Sequence, residues 1–267
     1  MKSLSSLLIT SALIAVSTTA SAALVAGDIA LVGFQASGSP TDSFSFATLV
    51  NVDAGTVLYF TDNGFTTGTG AGTGFRGVLS TNNIGNEGLL KYTVGANGLA
   101  AGQVVSSLST NAANGAWTLT GLVYSTGSGS YGPPSFSASG EQITVFQSSN
   151  AQPMLSGYTA LYNFDNTGTY EAATSSSAGQ LAPGLVQGTS AVLLNNMTNS
   201  FQNFNFAAFS GPADRDTWLA RMGNAANWTF VTATTNVADS SFSVGAVPSP
   251  GAVALLGLAG LIARRRH

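Results

Sequence analysis

The chain has 267 residues, no cysteine, one histidine (His267) and only 7% charged residues. Disulfides, thiolate metal sites and cysteine nucleophiles are excluded; so, before the last residue, are a Ser-His-Asp triad and histidine-ligated zinc, copper or iron. Between Ala23 and Ala246 four cations (Arg76, Lys91, Arg215, Arg221) face eleven acids, a net charge of −7 that argues against nucleic-acid binding, which needs clustered Lys and Arg.

The chain begins with a positive Lys2, a mostly apolar stretch over residues 4–16 and the small-residue site Ala20-Ser21-Ala22. This order of parts is that of a secretory signal peptide over residues 1–22, cleaved so that Ala23 leads the exported body. The body, residues 23–246, then shows short runs rich in β-branched and aromatic residues, separated by Gly, Asn and Ser. That pattern predicts an all-β, sandwich-like extracytoplasmic domain.

Strands are expected over residues 28–34, 43–50 and 56–61, the last ended by Asp62-Asn63-Gly64, whose residues tolerate positive φ. Residues 66–77, glycine and threonine with Phe75 and Arg76, read as a loop. Further strands are expected over 89–94, 103–108 and 116–124, with Asn97-Gly98 and Asn114-Gly115 as turns. After a Gly/Ser/Pro loop over 125–140 come strands at 141–147 and 159–164, a polar loop over 168–184 and a short strand at 190–194.

One short helix is expected near the C-terminal end, over residues 211–223. Pro212 suits its first turn, Asp214 and Asp216 its positive dipole end, Trp218, Leu219 and Met222 its apolar face, and Gly223 its cap. Strands at 228–233 and 241–244 complete the sheet.

Residues 247–267 have a different order. Val247, Pro248, Ser249, Pro250 and Gly251 frame a break, residues 251–263 are apolar or small, and Arg264, Arg265 and Arg266 close the segment. A break, a greasy segment and terminal cations are the parts of a membrane-insertion signal, whose arginines stay in the cytoplasm. At seventeen residues, even counted from Val247 to Ala263, the segment is shorter than the usual span of about 20. It suits transient retention in the inner membrane better than a permanent anchor.

This tail resembles the PEP-CTERM sorting signal of exported proteins of Gram-negative bacteria, departing from it at Ser249, where the family most often has Glu. The resemblance implies recognition and processing by an exosortase, and export to the cell envelope, cell surface or medium. It further implies a role beside exopolysaccharide in the biofilm matrix. The stretches 27–34, 42–46, 55–65 and 211–229 are similar to a recurring module of bacterial surface proteins, in which such motifs are structural.

Three chemistries remain open to the body. Asp28, Asp42, Asp62 and Asn63 cluster in sequence around the first strands, and their oxygens are a candidate set for calcium; the commoner use of such residues is turn capping. No EF-hand loop accompanies them, and no cofactor is expected otherwise. The aromatics Phe44, Phe46, Tyr59, Phe60, Phe65, Trp117, Trp218 and Trp228 suit a core, or sugar stacking if exposed. A carboxylate pair for glycoside cleavage can be drawn from the eleven acids, but the sequence does not say which two. The expected protein is therefore a non-enzymatic envelope or matrix component. The alternative is a calcium- or glycan-binding adhesin, with a glycoside hydrolase third.

Overall fold

A computed structural model describes residues 23–36, 42–67, 73–76, 87–120, 131–137, 140–170, 179–195, 201–230 and 238–245. The signal segment 1–22 and the tail 247–267 lie outside these residues. The described part is mostly β, with two six-stranded sheets and one short helix near its C-terminal end, as the sequence pattern predicts.

In chain order the strands are β1 (Ile29–Gln35), β2 (Ser43–Thr48), β3 (Val57–Thr61), β4 (Phe65–Thr66), β5 (Gly74–Phe75), β6 (Leu89–Val94) and β7 (Gln103–Ser106). There follow β8 (Gly115–Leu119), β9 (Gln142–Ser148), β10 (Tyr158–Asp165), β11 (Ala191–Leu193) and β12 (Phe201–Phe204). The helix α1 (Arg215–Gly223), β13 (Trp228–Phe230) and β14 (Ser240–Ser241) complete the order. The first sheet runs β13-β12-β1-β2-β7-β14 and the second β11-β10-β9-β3-β6-β8. All neighbours are antiparallel except β10 and β11.

Period-2 alternation sorts the side chains of the second sheet onto two faces. Leu58, Phe60, Ile143, Val145 and Phe164 join Phe34, Phe44 and Phe46 of the first sheet in the main core. Tyr59 and Phe146 point the other way, into a second cluster with Phe65, Phe75 and Leu89. The second sheet is thus covered on both faces, which is why the first five residues of β9 are all buried.

Three expectations are corrected here. The stretch expected as a loop over 66–77 contributes to a strand pair, Phe65 opposite Phe75 and Thr66 opposite Gly74, because two rings need cover against Phe146. The strand expected over 116–124 starts at Gly115 and ends at Leu119, and residues 121–124 of the expectation lie outside the described residues. The helix begins at Arg215 rather than 211, because Asp214 is its N-cap and accepts from Thr217 N (2.7 Å). Pro212 precedes that cap, and Asn224 rather than Gly223 is the C-cap.

The helix sits where β1 begins. Arg215 Nε donates to Asp28 Oδ1 (2.8 Å) and its NH2 donates to Ala26 O (2.9 Å). Leu219 covers Gly27, whose φ is +84°. Trp228 Nε1 donates to Met222 O (2.9 Å), and Asn227 Nδ2 donates to Arg221 O (2.8 Å). Two of the stretches that resemble the surface module, 27–34 and 211–229, therefore meet in space as structural partners. A Cβ at Gly27 would lie 2.3 Å from Leu219 Cδ2 on a backbone that L-residues avoid. Gly27→Ala is expected to cost about 2 kcal/mol, read as a lower urea midpoint; an unchanged midpoint would count against this docking.

Candidate functional site

At the opposite end of the molecule, three carboxylates hold one segment by its main chain. Asp62 follows β3; its Oδ1 accepts from Gly88 N (2.5 Å) and its Oδ2 from Ser135 N (2.9 Å). Asp42, just before β2, accepts from Phe136 N (2.9 Å). Glu141, just before β9, accepts from Ser137 N (3.1 Å) and Gln142 N (3.0 Å). Three successive amides, 135 to 137, are thus matched to three acids carried by three different strand ends. Thr61 and Asn63 complete the corner: Thr61 Oγ1 donates to Gly88 O (2.7 Å), and Asn63 Nδ2 donates to Thr61 Oγ1 (2.8 Å).

Asp62 and Glu141 are buried, and burial is the main cause that holds both well above the usual carboxylate range. Glu87 repels Asp62, and the charges of Asp62 and then Glu87 repel Glu141; the backbone donors pull both acids partly back. Arg76 lies in the same electrostatic neighbourhood. Burial lowers its pKa and Glu87 raises it.

The guanidinium nitrogens of Arg76, the side-chain amide of Gln142, Asn63 Oδ1 and Asn163 Oδ1 are buried without hydrogen-bond partners among the described residues. Asn163 lies opposite Thr144 on the outer face of the second sheet, and Gln142 lies on the same face. Carboxyls kept protonated near neutral pH are the general acids of many hydrolases. Here each oxygen of Asp62 already takes a main-chain N–H, and the side chain is fully buried. The arrangement is suited to holding segments together.

The candidate calcium set is divided between the two ends. Asp62, Asn63 and Asp42 share the carboxylate end. Asp28 lies at the start of β1, about 20 Å away along the strand, where it is paired with Arg215 and accepts from Val25 N (2.8 Å). Among the described residues no three acids or histidines are grouped so as to hold a metal. Asp28 accepts locally, from Val25 N, whereas Asp42 and Asp62 accept from main-chain N–H groups of distant segments rather than capping their own turns. Of the named aromatics, Phe44, Phe46, Phe60, Phe65, Trp218 and Trp228 are buried, and Tyr59 and Trp117 are half-buried, so the core reading holds for most. The signal-peptide residues Ala20 and Ala22, the frame Val247 to Gly251 and the arginines 264–266 lie outside the described residues. Ala23 is exposed.

Comparison of the chain with protein-family models, with curated proteins and with solved structures finds no match.

The sequence reading did not single out Glu87, Glu141, Gln142 or Arg76 as a group. One signal was there: Arg76 is the only charge in a long Gly/Thr stretch. In the fold the charge that acts on it is that of Glu87.

Proposed function

We propose that this chain is an exported, non-catalytic protein of the cell envelope or extracellular matrix. In this reading a sandwich-like body is delivered by the N-terminal signal and released or attached through exosortase processing of the C-terminal tail, beside exopolysaccharide. The observation that carries the reading is the fixed order of Pro248-Ser249-Pro250, the apolar run 251–263 and Arg264–Arg266.

The described body supports it in two ways. Its buried acids Asp62, Glu141 and Asp165 each accept from main-chain amides. Its two chain ends leave from one end of the molecule: Leu24 N donates to Gln147 Oε1 (3.3 Å) near the end of β9, and Phe242 N donates to Gly102 O (2.9 Å) just before β7. A body with both ends on one side can be held at a membrane by one end while the other side faces outward.

Mass spectrometry of the exported protein is expected to find Ala23 at the N-terminus and a new C-terminus near Pro248. Recovery of exported protein that still carries Arg264–His267 would sink the sorting reading.

A further inference from the structure

The end of the body from which the tail departs carries an aromatic cup. Phe206, Phe209 and Phe242 are half-buried around the buried Trp218. With Pro212 they line a cavity of about 180 Å³. Phe206 and Phe242 are tilted by 35° at 5.0 Å, while both meet Trp218 more steeply. Trp218 and Phe242 are 4.6 Å apart at 61°, and Phe209 and Trp218 are 6.0 Å apart at 76°. The Arg221 guanidinium lies 4.7 Å from the centres of both Phe209 and Trp218. The cup is held from behind: Trp218 Nε1 donates to Ser243 O (2.9 Å), and Phe204 packs on Phe206 and Phe209.

The chain's exit is fixed beside this cup. Val244 pairs with Ala213, and Gly245 N donates to Ala213 O (2.7 Å). Only residues 246–250 separate Gly245 from Gly251, the first residue of the apolar run. Fully extended, that spacer reaches about 20 Å. While the run is inserted, the spacer keeps the body within about 20 Å of it, and the surface beside Gly245 is the one nearest the bilayer. Phe side chains on the apolar face of an interfacial segment bury into the headgroup/acyl boundary.

We propose that the aromatic cup of Phe206, Phe209 and Phe242 docks on the extracytoplasmic lipid surface while the tail is inserted. The proposal rests on the reading of the tail as a membrane segment. The lipid is zwitterionic, since a body of net charge −7 is repelled by an anionic leaflet. Docking fixes the orientation of the body: the carboxylate end points away from the membrane. Cleavage then frees the cup along with the body.

The test uses the full chain reconstituted in phosphatidylcholine vesicles with brominated acyl chains. Because the chain has no cysteine, Ala208→Cys and Leu119→Cys each give a single fluorophore position. Ala208 is exposed beside Phe209, and Leu119 is 55% exposed at the far end. The label at 208 is expected to lose at least half its emission to the bromolipid and the label at 119 almost none. Phe206→Ser with Phe209→Ser is expected to restore most of the emission at 208.

Equal quenching at both positions, or none at 208 in chain that floats with the vesicles, would overturn the docking. So would quenching at 208 that survives the double substitution, since the tether alone would then explain it. Chain that fails to float with the vesicles removes the membrane reading of the tail as well, which separates the two failures.

Discussion

Asp62→Asn is expected to flatten the dependence of folding stability on pH. Asp62 and Glu141 both have folded-state pKa values raised above their unfolded ones, mainly by burial. For such groups the unfolded chain gives up its proton first as pH rises. Their contribution to stability is fully present below the unfolded values, about 4 for Asp and Glu, and is lost as pH rises through the folded values. Urea midpoints of the native protein should therefore fall from pH 5 toward pH 8.

Removing the Asp62 charge removes its own titration and relieves Glu141, so the Asn variant should lose much less over that interval. At pH 5 it should still be weaker than the native protein by about 1–2 kcal/mol, because an amide accepts from only one of the two amides of Gly88 and Ser135. Asp62→Ala leaves both without an acceptor and should cost about 2–4 kcal/mol. The opposite trend at low pH comes from Asp214, whose pKa is lowered chiefly by the hydrogen bond from Thr217 N. Its stabilising charge is present above the unfolded value and is lost as pH falls through the lower folded one, so stability should peak in mildly acidic solution. A native protein equally stable at pH 5 and pH 8 would contradict this assignment.

Trp218→Ala should lower stability by about 3–5 kcal/mol and the melting temperature by about 10–15 °C. The indole is 2% exposed and touches Phe204, Phe206, Phe209 and Phe242, so truncation opens a void at the junction of α1 with the first sheet. It also takes away one of the two rings under Arg221. Trp218→Phe keeps most of the packing, loses the bond to Ser243 O and should cost about 1 kcal/mol. Thermal melts of the full chain in mild detergent distinguish the two. A cost below about 1 kcal/mol for the alanine variant would mean that the helix is not anchored by this ring.

Much of the strand pattern was legible because it is local. Ser-Phe-Ser-Phe at residues 43–46 and Val-Leu-Tyr-Phe-Thr at 57–61 declare themselves by alternation and by their turn residues. The helix was legible from Trp218, Leu219 and Met222, all of which are buried. The strand Phe201–Phe204 was missed: its four residues are half polar, and what makes them a strand is β1, some 170 residues earlier, on one side and β13 on the other.

The carboxylate cluster was hidden for the same reason, since its acids are brought together only by strand ends meeting in space. Proximity in sequence also misled. Asp28 and Asp62 are separated by three strands that run alternately up and down, so the start of β1 and the end of β3 lie at opposite ends, while Asp42 at the start of β2 joins Asp62. Counting strands between two acids, not residues, decides whether they share a site.

The bond between Asp28 and Arg215 joins residues 187 positions apart, and β1 lies between β2 and the late strand β12. The first strand of the body thus waits for nearly the whole chain before its own sheet can close. Folds dominated by such distant pairings form slowly. Under the export proposed above, that delay serves the chain, because no stable part can be completed around β1 until the C-terminal strands have joined it.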